Sequence, residues 1–586
     1  MEIFKRIRQS KITGKLPSKT QINLVLSSFS KAEWIFFLSF LGVFIISTLL
    51  ILERINTSFM VNVPMRGGQI SEGIVGSPRF VNPVLAFSDT DKDLVNLVYS
   101  GLMRKDKDGS LVPDLAEKYE MSKDGLTYTF TLKDDLYFHD GKTLTADDVV
   151  FTIEKTKDPI IKSPRKGNFD GVSVEKIDNK TIKFTLKQPY ASFLENTTIG
   201  ILPKNIWDHS PLELNEANTN PVGSGPYMIE SVSKQSSGII NSYALINFKK
   251  FTLGNPYIKN INFYFYSNED DMISSLKNGT VDQISSIMPE NAEMLKADGY
   301  RVESSVLPRV FGLFFNQNQN HLFTNKTVVK AINDAIDKDR IVRQVLYGYG
   351  VAIDDPIPPN MIAYQKLNND NNTSREDIIK KVVASLAKDG WKIGPSGFLE
   401  KTTTEKKKKT TTILEFSIAT GNAPELEKSA ELIKQDLSAL GMKVDVKTFE
   451  VGNLNQNVIR PRKYDALLFG QIINNEGDLI AFWHSSQRKD PGLNVSMYAN
   501  PKVDKILEDA FITVDENARI KKYAQFEAEI AKDMPAVFLY SPKFIYVVGQ
   551  DLKGLFMDHI NNPGDRFSNL YSWYTETDNV WKIFAR

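Results

Sequence analysis

The chain has 586 residues, of which 41% are hydrophobic and 24% are charged, so it is long enough to form several lobes with buried cores. Its 72 Lys and Arg residues are balanced by 71 Asp and Glu residues, and the net charge of +1 excludes the overall basic field of a nucleic-acid-binding protein. The absence of cysteine excludes disulfides, thiolate nucleophiles, Cys-ligated metals and a lipid on an N-terminal cysteine, and five scattered histidines argue against a His-rich centre, so we expect no cofactor and no metal.

The first predicted element is a transmembrane helix at residues 34–52. This segment carries no charged residue and would span about 28 Å as a helix, which is one bilayer crossing. The basic residues before it are Lys5, Arg6, Arg8, Lys11, Lys15, Lys19 and Lys31. By the positive-inside rule we expect residues 1–33 in the cytoplasm and the large remainder outside the membrane. A cleaved signal peptide is the alternative, but its apolar region usually has about 7–15 residues and ends at small residues that ILERINTSFM lacks.

From about residue 64 the pattern is typical of a mixed α/β protein. Period-two alternation predicts half-buried strands at 126–132 and 181–187. Thr145 and Asp148 have the spacing of a capping box at a helix start. Apolar spacing predicts helices at 328–346 and 423–442, the second stopping at Gly441 and followed by a strand at 443–446.

A stretch rich in Lys and Thr occupies residues 399–413. Its lysine cluster at 405–409 allows binding to an anionic lipid or nucleic acid, but lysines among threonines are more typical of a solvated hairpin tip. The pattern favours the hairpin and leaves the function of the loop open.

The sequence contains no G-x-S-x-G, H-E-x-x-H, Walker or dinucleotide-binding motif. FHDG (138–141) pairs His139 with Asp140, but no serine nucleophile accompanies them, so a turn at a strand end is favoured over a hydrolase site. VGSGPY (222–227) is followed by a strand-like run and not by a helix, which favours a structural turn over a phosphate loop. We therefore expect that the protein is not an enzyme.

Aromatic residues are abundant, with 35 Phe, 21 Tyr and 6 Trp, and most of them must form core. Two segments, VFGLFFN (310–316) and FWHSS (482–486), mix apolar groups with hydrogen-bonding ones. Asn316, His484 and Ser485 favour the alternative that these segments face a ligand.

The most specific signal is a resemblance carried by eight segments. The run YSGLMRKDKDGSLVPDLAEKYEMSKDGLTYTFTLKDDLYFHDGKTLTADDVVFTIEK (99–155) closely resembles the first-lobe signature of the family 5 extracellular solute-binding proteins, the peptide-binding receptors of ABC importers. The family order continues with NPVGSGPY (220–227), KNGTVDQ (277–283), GLFFNQN (312–318), VVKAINDAIDKDRIV (328–342), IPP (357–359), DGW (389–391) and NVSMYANPKVDKILEDA (494–510). The resemblance covers roughly residues 64–560.

This resemblance implies an α/β fold that is two-lobed and periplasmic-binding-protein-like (type II, class C), with mixed sheets and an inter-lobe cleft, preceded by one transmembrane helix. Lobe I would comprise residues 64–264 with residues 543–586 returning to it, and lobe II would comprise residues 265–542. Hinge strands would lie near 263–266 and 538–540. Residues 53–63 would be a tether between the helix and the first lobe.

The resemblance also implies a set of ligand contacts. Family contacts before the first helix of lobe I fall on Phe87, Ser88, Asp89 and Thr90. A second-lobe motif, G-W-x-x-D, whose Asp pairs with the peptide α-ammonium, corresponds here to GQIINNEGD (470–478), with Gln471 at the Trp position and Asn474 at the Asp position. Further expected contacts are Phe315, Asn316, Trp483 and Asn494.

The substitution at position 474 removes a countercharge, and charge-assisted hydrogen bonds are about twice as strong as neutral ones. Either Glu476 or Asp478 replaces the missing acid, or the cargo is N-blocked, bound in internal register or not a peptide. Because the family includes receptors for nickel complexes and sugars, the resemblance defines the architecture better than the substrate.

The implied function is a membrane-anchored extracytoplasmic receptor that captures peptides or similar small solutes between two lobes and delivers them to an ABC import permease. Its expected partners are the ligand, the permease subunits and the membrane, and we expect a monomer. The alternative is a receptor that senses a ligand or recruits a partner without transport, although a cytoplasmic segment of 33 residues is too short for a signalling domain.

Overall fold

The N-terminal part of the structure is a long apolar helix. In a computed structural model that describes residues 18–361, 374–405 and 408–585, α1 (Lys19–Ser27) is followed by α2 (Lys31–Phe59). Ser30 caps α2, because its hydroxyl oxygen accepts the Glu33 N–H at 3.4 Å, and its own N–H donates to the Glu33 carboxylate at 2.8 Å. The helix contains the predicted segment 34–52 and is long and apolar enough to cross a membrane, with a mean hydropathy of 2.8.

The stretch 53–63, expected to be a tether, has regular structure. Helix α2 continues to Phe59, and β1 (Met60–Pro64) pairs antiparallel with the C-terminal strand β23 (Thr577–Trp581). This segment differs from an irregular tether because the backbone groups of β1 form hydrogen bonds with β23, whereas those of a tether would form hydrogen bonds with water. Residues up to Met65 and from Thr577 onward form one unit, and Arg66–Glu576 form the other.

The larger unit is organised by a mixed twelve-stranded sheet. Its strands are β2 (Gly67–Val75), β9 (Tyr227–Lys234), β10 (Ile240–Asn247), β11 (Ile258–Tyr266), β12 (Gln283–Ser285), β13 (Arg301–Val306), β14 (Arg309–Phe315), β15 (Gly350–Ala352), β19 (Glu415–Gly421), β20 (Lys443–Phe449), β21 (Ala466–Ile472) and β22 (Ala536–Val548). The order is β20-β19-β21-β14-β22-β12-β2-β11-β10-β9, with β13 and β15 also paired to β22. Strand β22, almost wholly buried, therefore joins the two halves of the sheet.

Smaller sheets complete the unit. They are formed by β3 (Met103–Lys105) with β4 (Leu111–Pro113), by β5 (Ala116–Met121), β6 (Thr127–Leu132), β8 (Thr181–Leu186) and β7 (Val172–Lys176) in that order, and by β16 (Lys392–Ile393), β17 (Leu399–Glu405) and β18 (Lys408–Ile413). Strands β6 and β8 confirm the alternation at 126–132 and 181–187, since every second side chain is buried. Strands β17 and β18 confirm the hairpin at 399–413, whose residues 406–407 lie outside the described residues.

The helices of the larger unit cover the sheets. They are α3 (Asp89–Val98), α4 (Ala146–Lys157), α5 (Phe193–Asn196), α6 (Lys204–Trp207), α7 (Glu269–Lys277), α8 (Pro289–Ala297), α9 (Lys326–Ala335), α10 (Lys338–Gln344), α11 (Arg375–Lys388), α12 (Pro424–Ser438), α13 (Val451–Asn453), α14 (Asp478–Trp483), α15 (Pro501–Phe511) and α16 (Glu516–Asp533). Helix α12 and strand β20 confirm the helix–strand unit predicted at 423–446. The single helix predicted at 328–346 is instead α9 and α10, because Asp337 leaves the helical path and caps α10 through the N–H of Arg340 at 2.8 Å.

The two glycine-containing motifs, FHDG and VGSGPY, pack against each other. The His139 N–H donates to the Gly223 carbonyl at 2.8 Å, and the His139 ring lies 3.1 Å from the Gly225 carbonyl. A Cβ at Gly223 would approach the Val98 carbonyl to 2.0 Å, so this close packing requires glycine. Burial lowers the pKa of His139 to about 4, and the ring is therefore a neutral packing element.

Candidate functional site

A cavity of about 520 Å³ in the larger unit is the candidate ligand site. Its lining comes from widely separated parts of the chain, namely 86–105, 164–168, 195–198, 474–478 and 561–571. The volume lies within the range of roughly 300–1,000 Å³ that small-molecule sites occupy. A larger space of about 1020 Å³ lies among α9, α10 and α11, but none of the predicted site residues lines it, so we do not assign the ligand there.

One wall of the cavity is fixed by a buried charge network. Arg566 is fully buried, and its guanidinium bonds to Glu72 at 2.6 Å and to Asp93 at 2.8 Å. The Tyr546 hydroxyl and the Gln283 amide also donate to Glu72, at 2.8 and 3.2 Å. These contacts tie strand β2, helix α3 and the turn Pro563–Phe567 together, and the last two of these elements line the cavity.

Acidic side chains also line the cavity. Asp478, the first residue of α14, accepts the N–H of Asn474 at 2.8 Å and that of Asn475 at 3.4 Å through Oδ2. Its Oδ1 has no hydrogen-bond partner among the described residues. The Glu195 carboxylate, which also lines the cavity, accepts no hydrogen bond from the described residues either, although the charge of Lys105 attracts it. An unpaired acid that lines a cavity is available to a cationic ligand group.

Electrostatics show that these acids lie close together. The pKa of Glu195 is raised to about 7, chiefly by burial and also by the negative charges of Glu476 and Asp478, while the charges of Lys105 and Arg519 act against the rise. Burial also raises the pKa of Asp478, against its bonds from Asn474 and Asn475. A cation placed among these carboxylates would lower both pKa values by stabilising the charged forms.

Cationic side chains line the same cavity, namely Lys92, Arg104, Lys105 and Arg165. Burial lowers the pKa of Arg165, and the charge of Asp565 opposes this shift. The Arg165 guanidinium has no hydrogen-bond partner within the part of the chain that the structure describes. The cavity thus presents acidic groups at Glu195 and Asp478 together with cations, among them the Arg165 guanidinium, which suits a ligand with both charges.

Contacts between the segments around residues 190 and 511 close one side of the acidic cluster. The Ala191 N–H donates to the Phe511 carbonyl at 3.2 Å, and the Tyr190 ring stacks on the Phe511 ring with centroids 4.7 Å apart. Across the cavity, the Asn561 amide donates to the Asn474 carbonyl at 3.2 Å. These contacts bring residues 474–478 towards the segments of the predicted first lobe.

The residues predicted at the start of α3 have different surroundings. Phe87 lines the cavity and is 78% exposed. Ser88 caps α3 by accepting the Asp91 N–H at 3.1 Å, and Thr90 is buried with its hydroxyl 3.5 Å from the Val75 carbonyl. Asp89 is exposed, pairs with Lys92 at 3.4 Å and lies within electrostatic reach of Arg309. In this structure only Phe87 of the four lines the cavity.

Four of the residues predicted as second-lobe contacts are buried in this structure and do not line the cavity. Phe315 stacks on Phe323 at 4.4 Å, and Trp483 packs among aromatic side chains such as Phe538. The Asn316 amide donates to the Arg462 carbonyl at 2.9 Å, and that of Asn494 donates to the Tyr498 carbonyl at 3.0 Å. The neighbouring His484 ring and Ser485 hydroxyl bond to the Glu508 and Asp504 carboxylates of α15, so these polar groups are used within the protein.

The GQIINNEGD segment is divided between core and cavity. Asn474 and Asp478 line the cavity, whereas Gln471 is 2% exposed in β21 and does not. The Gln471 amide nitrogen and oxygen have no partners within residues 18–361, 374–405 and 408–585. The sequence reasoning missed Glu195 and Arg165, and no local pattern could have found them, because their surroundings depend on segments distant in the chain.

Comparison with known proteins identifies the family. The model of the bacterial extracellular solute-binding proteins, family 5, matches residues 110–490, which is more than half of the chain. The chain belongs to the family 5 extracellular solute-binding proteins. Members of this family are substrate-binding receptors.

Individual relatives of this family 5 chain extend the match. It is 29% identical over 522 residues to the oligopeptide-binding protein AppA of Bacillus subtilis, covering 87% of this chain and 92% of that protein. The crystal structure of AppA from B. subtilis with a nonapeptide has a TM-score of 0.64 at 28% identity, over 87% of this chain and 99% of that one. The crystal structure of NikZ from Campylobacter jejuni with Ni(L-His) has a TM-score of 0.67 at 28% identity, over 86% of this chain and 99% of that one. The two-lobed periplasmic-binding fold with mixed sheets is therefore confirmed.

Proposed function

We propose that this family 5 protein is a membrane-anchored receptor that captures short peptides with a free amino terminus and delivers them to an ABC import permease. The observation that carries the proposal is a pair of carboxylates on the cavity wall. Glu195 accepts no hydrogen bond from the described residues, and Asp478 accepts backbone N–H groups through Oδ2 only, which leaves its Oδ1 for a ligand. Asp478, with Glu476 nearby, takes the role that Asn474 cannot fill. Arg165 is the proposed partner of the ligand carboxylate.

The side chains that line the cavity favour peptides over nickel complexes as the ligand. Among the described residues no histidine lines the cavity, and no group of three or more His, Cys, Asp or Glu residues there is arranged to hold a metal ion. The volume of about 520 Å³ suits a short ligand. The protein acts as a monomeric receptor without catalytic activity.

The proposed topology places residues 1–33 in the cytoplasm, the apolar part of α2 in the membrane and Arg66–Glu576 outside the cell. Helix α2 supports this topology by its length and hydropathy. Confinement to the membrane raises the effective concentration of the receptor near its permease. Lobe I is proposed to hold 64–264 and the returning residues from 543, and lobe II to hold 265–542.

Calorimetry with a matched pair of tripeptides, one with a free amine and one N-acetylated, tests the ligand assignment. The wild type is expected to prefer the free amine by about 1–2 kcal/mol, the difference between neutral and charge-assisted hydrogen bonds. Asp478→Asn should reduce this preference, whereas Glu154→Gln, at an exposed acid on α4, should retain it. Equal affinity of the wild type for both peptides would refute the ammonium site.

Native mass spectrometry of protein purified from a cell lysate tests the ligand class independently. Retained species with peptide masses are expected. Retained nickel chelates or sugars would refute the peptide assignment while leaving the family membership unchanged.

A further inference from the structure

Exposed apolar side chains cluster where the last strand meets the end of helix α2. Strand β23 pairs with β1 in a register that places Trp581 opposite Met60, the first residue after the helix. The Trp581 indole donates to the Asn56 side chain at 2.7 Å, and the Lys582 N–H donates to the Phe59 carbonyl at 2.8 Å. The chain after β23 is therefore held against the last turn of α2.

The side chains at this junction are exposed although they are large and apolar. Ile583 is 76% exposed and Phe584 is 72% exposed, and Trp581 is 46% exposed. On the helix, Ile55 and Phe59 are 49% and 59% exposed. These exposed side chains, the apolar patch, lie on two segments that the bonds above hold together, so they expose apolar area to water at one junction, which is unfavourable.

The position of the patch along α2 indicates what covers it. Asn56 lies four residues beyond the apolar segment 34–52, which is about 6 Å along a helix. The headgroup region on each side of a bilayer is roughly 5–7 Å thick, so this junction coincides with its depth. Tryptophan prefers that region, because its ring is apolar and its N–H is polar, and Lys582 has a stem long enough to reach lipid phosphates.

We propose that Trp581, Ile583 and Phe584, together with Ile55 and Phe59, form a second membrane contact that inserts into the lipid headgroup region beside the helix. The occupant is phospholipid, because the patch continues the apolar surface of α2. This inference rests on the proposed membrane topology. It explains why the residues expected to be a flexible tether are instead a two-stranded ribbon, since the ribbon holds the C-terminal segment at the bilayer.

Single-cysteine labelling of the full chain tests this contact, because the protein has no cysteine of its own. Three variants, Ile45→Cys, Phe584→Cys and Thr577→Cys, are labelled with an environment-sensitive NBD fluorophore and reconstituted in phosphatidylcholine vesicles. Phe584→Cys should show blue-shifted emission that a headgroup-located nitroxide lipid quenches. Thr577→Cys is the matched control at the far end of β23, roughly 13 Å along the strand, and should show neither effect.

The Ile45 label separates failure of this inference from failure of the topology. If Ile45→Cys is quenched by a deep acyl-chain nitroxide but Phe584→Cys remains aqueous, the second contact is refuted and the membrane helix stands. If Ile45→Cys is aqueous, the topology itself fails. Equal quenching of Thr577→Cys and Phe584→Cys would also overturn the inference. When Ile583→Lys is added to the Phe584→Cys variant, the blue shift of the label emission should be much smaller. An unchanged shift would count against insertion of this patch.

Discussion

Removing the charge of Glu195 should abolish a pH dependence of ligand binding. In the ligand-free protein, burial and the neighbouring acids raise the pKa of Glu195 to about 7 from 4.5. A bound ammonium stabilises the carboxylate and lowers this pKa again, so binding releases a proton. Affinity for a free-amine peptide should therefore rise as the pH approaches 7 and level off above it.

The magnitude follows from the fraction of Glu195 that is deprotonated. That fraction is about one half near pH 7 and about 3% near pH 5.5, so the affinity should fall roughly 15-fold over this interval, or about 1.6 kcal/mol, if the bound form is fully ionised. The peptide amine, with a pKa of about 7.7–8.0, stays protonated throughout. Calorimetry near pH 6.5 in buffers of different ionisation enthalpy should report release of about 0.8 proton.

Glu195→Gln should flatten the pH profile and reduce the proton release, whereas Glu154→Gln should preserve both. The N-acetylated peptide should show no such profile with any variant. The reasoning would be refuted if Glu195→Gln retained the full pH dependence, because another group would then be the one that titrates. If the affinity of the wild type for the free-amine peptide did not change with pH, this would also exclude Glu195 as the group that binds the ligand ammonium.

Three further outcomes are expected. Arg566→Met, which leaves Glu72 buried without its cation, should lower the free energy of unfolding in urea by about 3–5 kcal/mol, and a loss under 1 kcal/mol would contradict the proposed role of this network. Burial and the charge of Asp355 raise the pKa of Glu527 to about 8 from 4.5. The contribution of Glu527 to stability is therefore fully present below pH 4.5 and is lost as the pH rises through 8. Glu527→Gln should raise the melting temperature above pH 8, and a lower melting temperature there would refute this reasoning. Asn474→Asp should add little to the free-amine preference in calorimetry, because Asp478 already supplies the anion; a large gain would show that position 474 itself faces the ammonium.

The parts of the fold that the sequence predicted are those with local causes. Strands β6 and β8 alternate because neighbouring residues face opposite sides of a sheet, which a short window records. Helix α12 ends before Gly441, whose φ of +88° suits the stop that was predicted there. The break between α9 and α10 escaped prediction, because apolar spacing continues through it and only the Asp337 cap interrupts the helix.

The candidate site depended on contacts that no local pattern contains. Asp478 was one of several acids on a segment shifted from the family motif, and its hydrogen bonds to Asn474 and Asn475 show how the segment folds around it. Glu195 lies in α5, whose sequence FLEN carries no binding signal, and it becomes notable only beside Asp478. Trp483, in contrast, was predicted to contact the ligand because of its residue type, whereas its ring packs within a hydrophobic core.

The charges of the cavity also provide a reason for ligand-dependent closure. Glu195 belongs to the predicted first lobe and Asp478 to the second, so closing the cleft without a ligand brings like charges together. The contacts that favour closure are modest, since a hydrogen bond such as that from Asn561 to Asn474 contributes about 1 kcal/mol and the stacking of Tyr190 on Phe511 about 0.5–1.5 kcal/mol.

A ligand ammonium replaces the repulsion between these acids with attraction and shifts the population towards the closed form. Small-angle scattering should therefore show a smaller radius of gyration with the free-amine peptide than with its acetylated counterpart, when each is present at a saturating concentration. Asp478→Asn should close more readily without ligand than the wild type does, because one of the repelling charges is gone. Equal contraction with both peptides, and an unchanged ligand-free radius in Asp478→Asn, would show that closure does not depend on this charge pair.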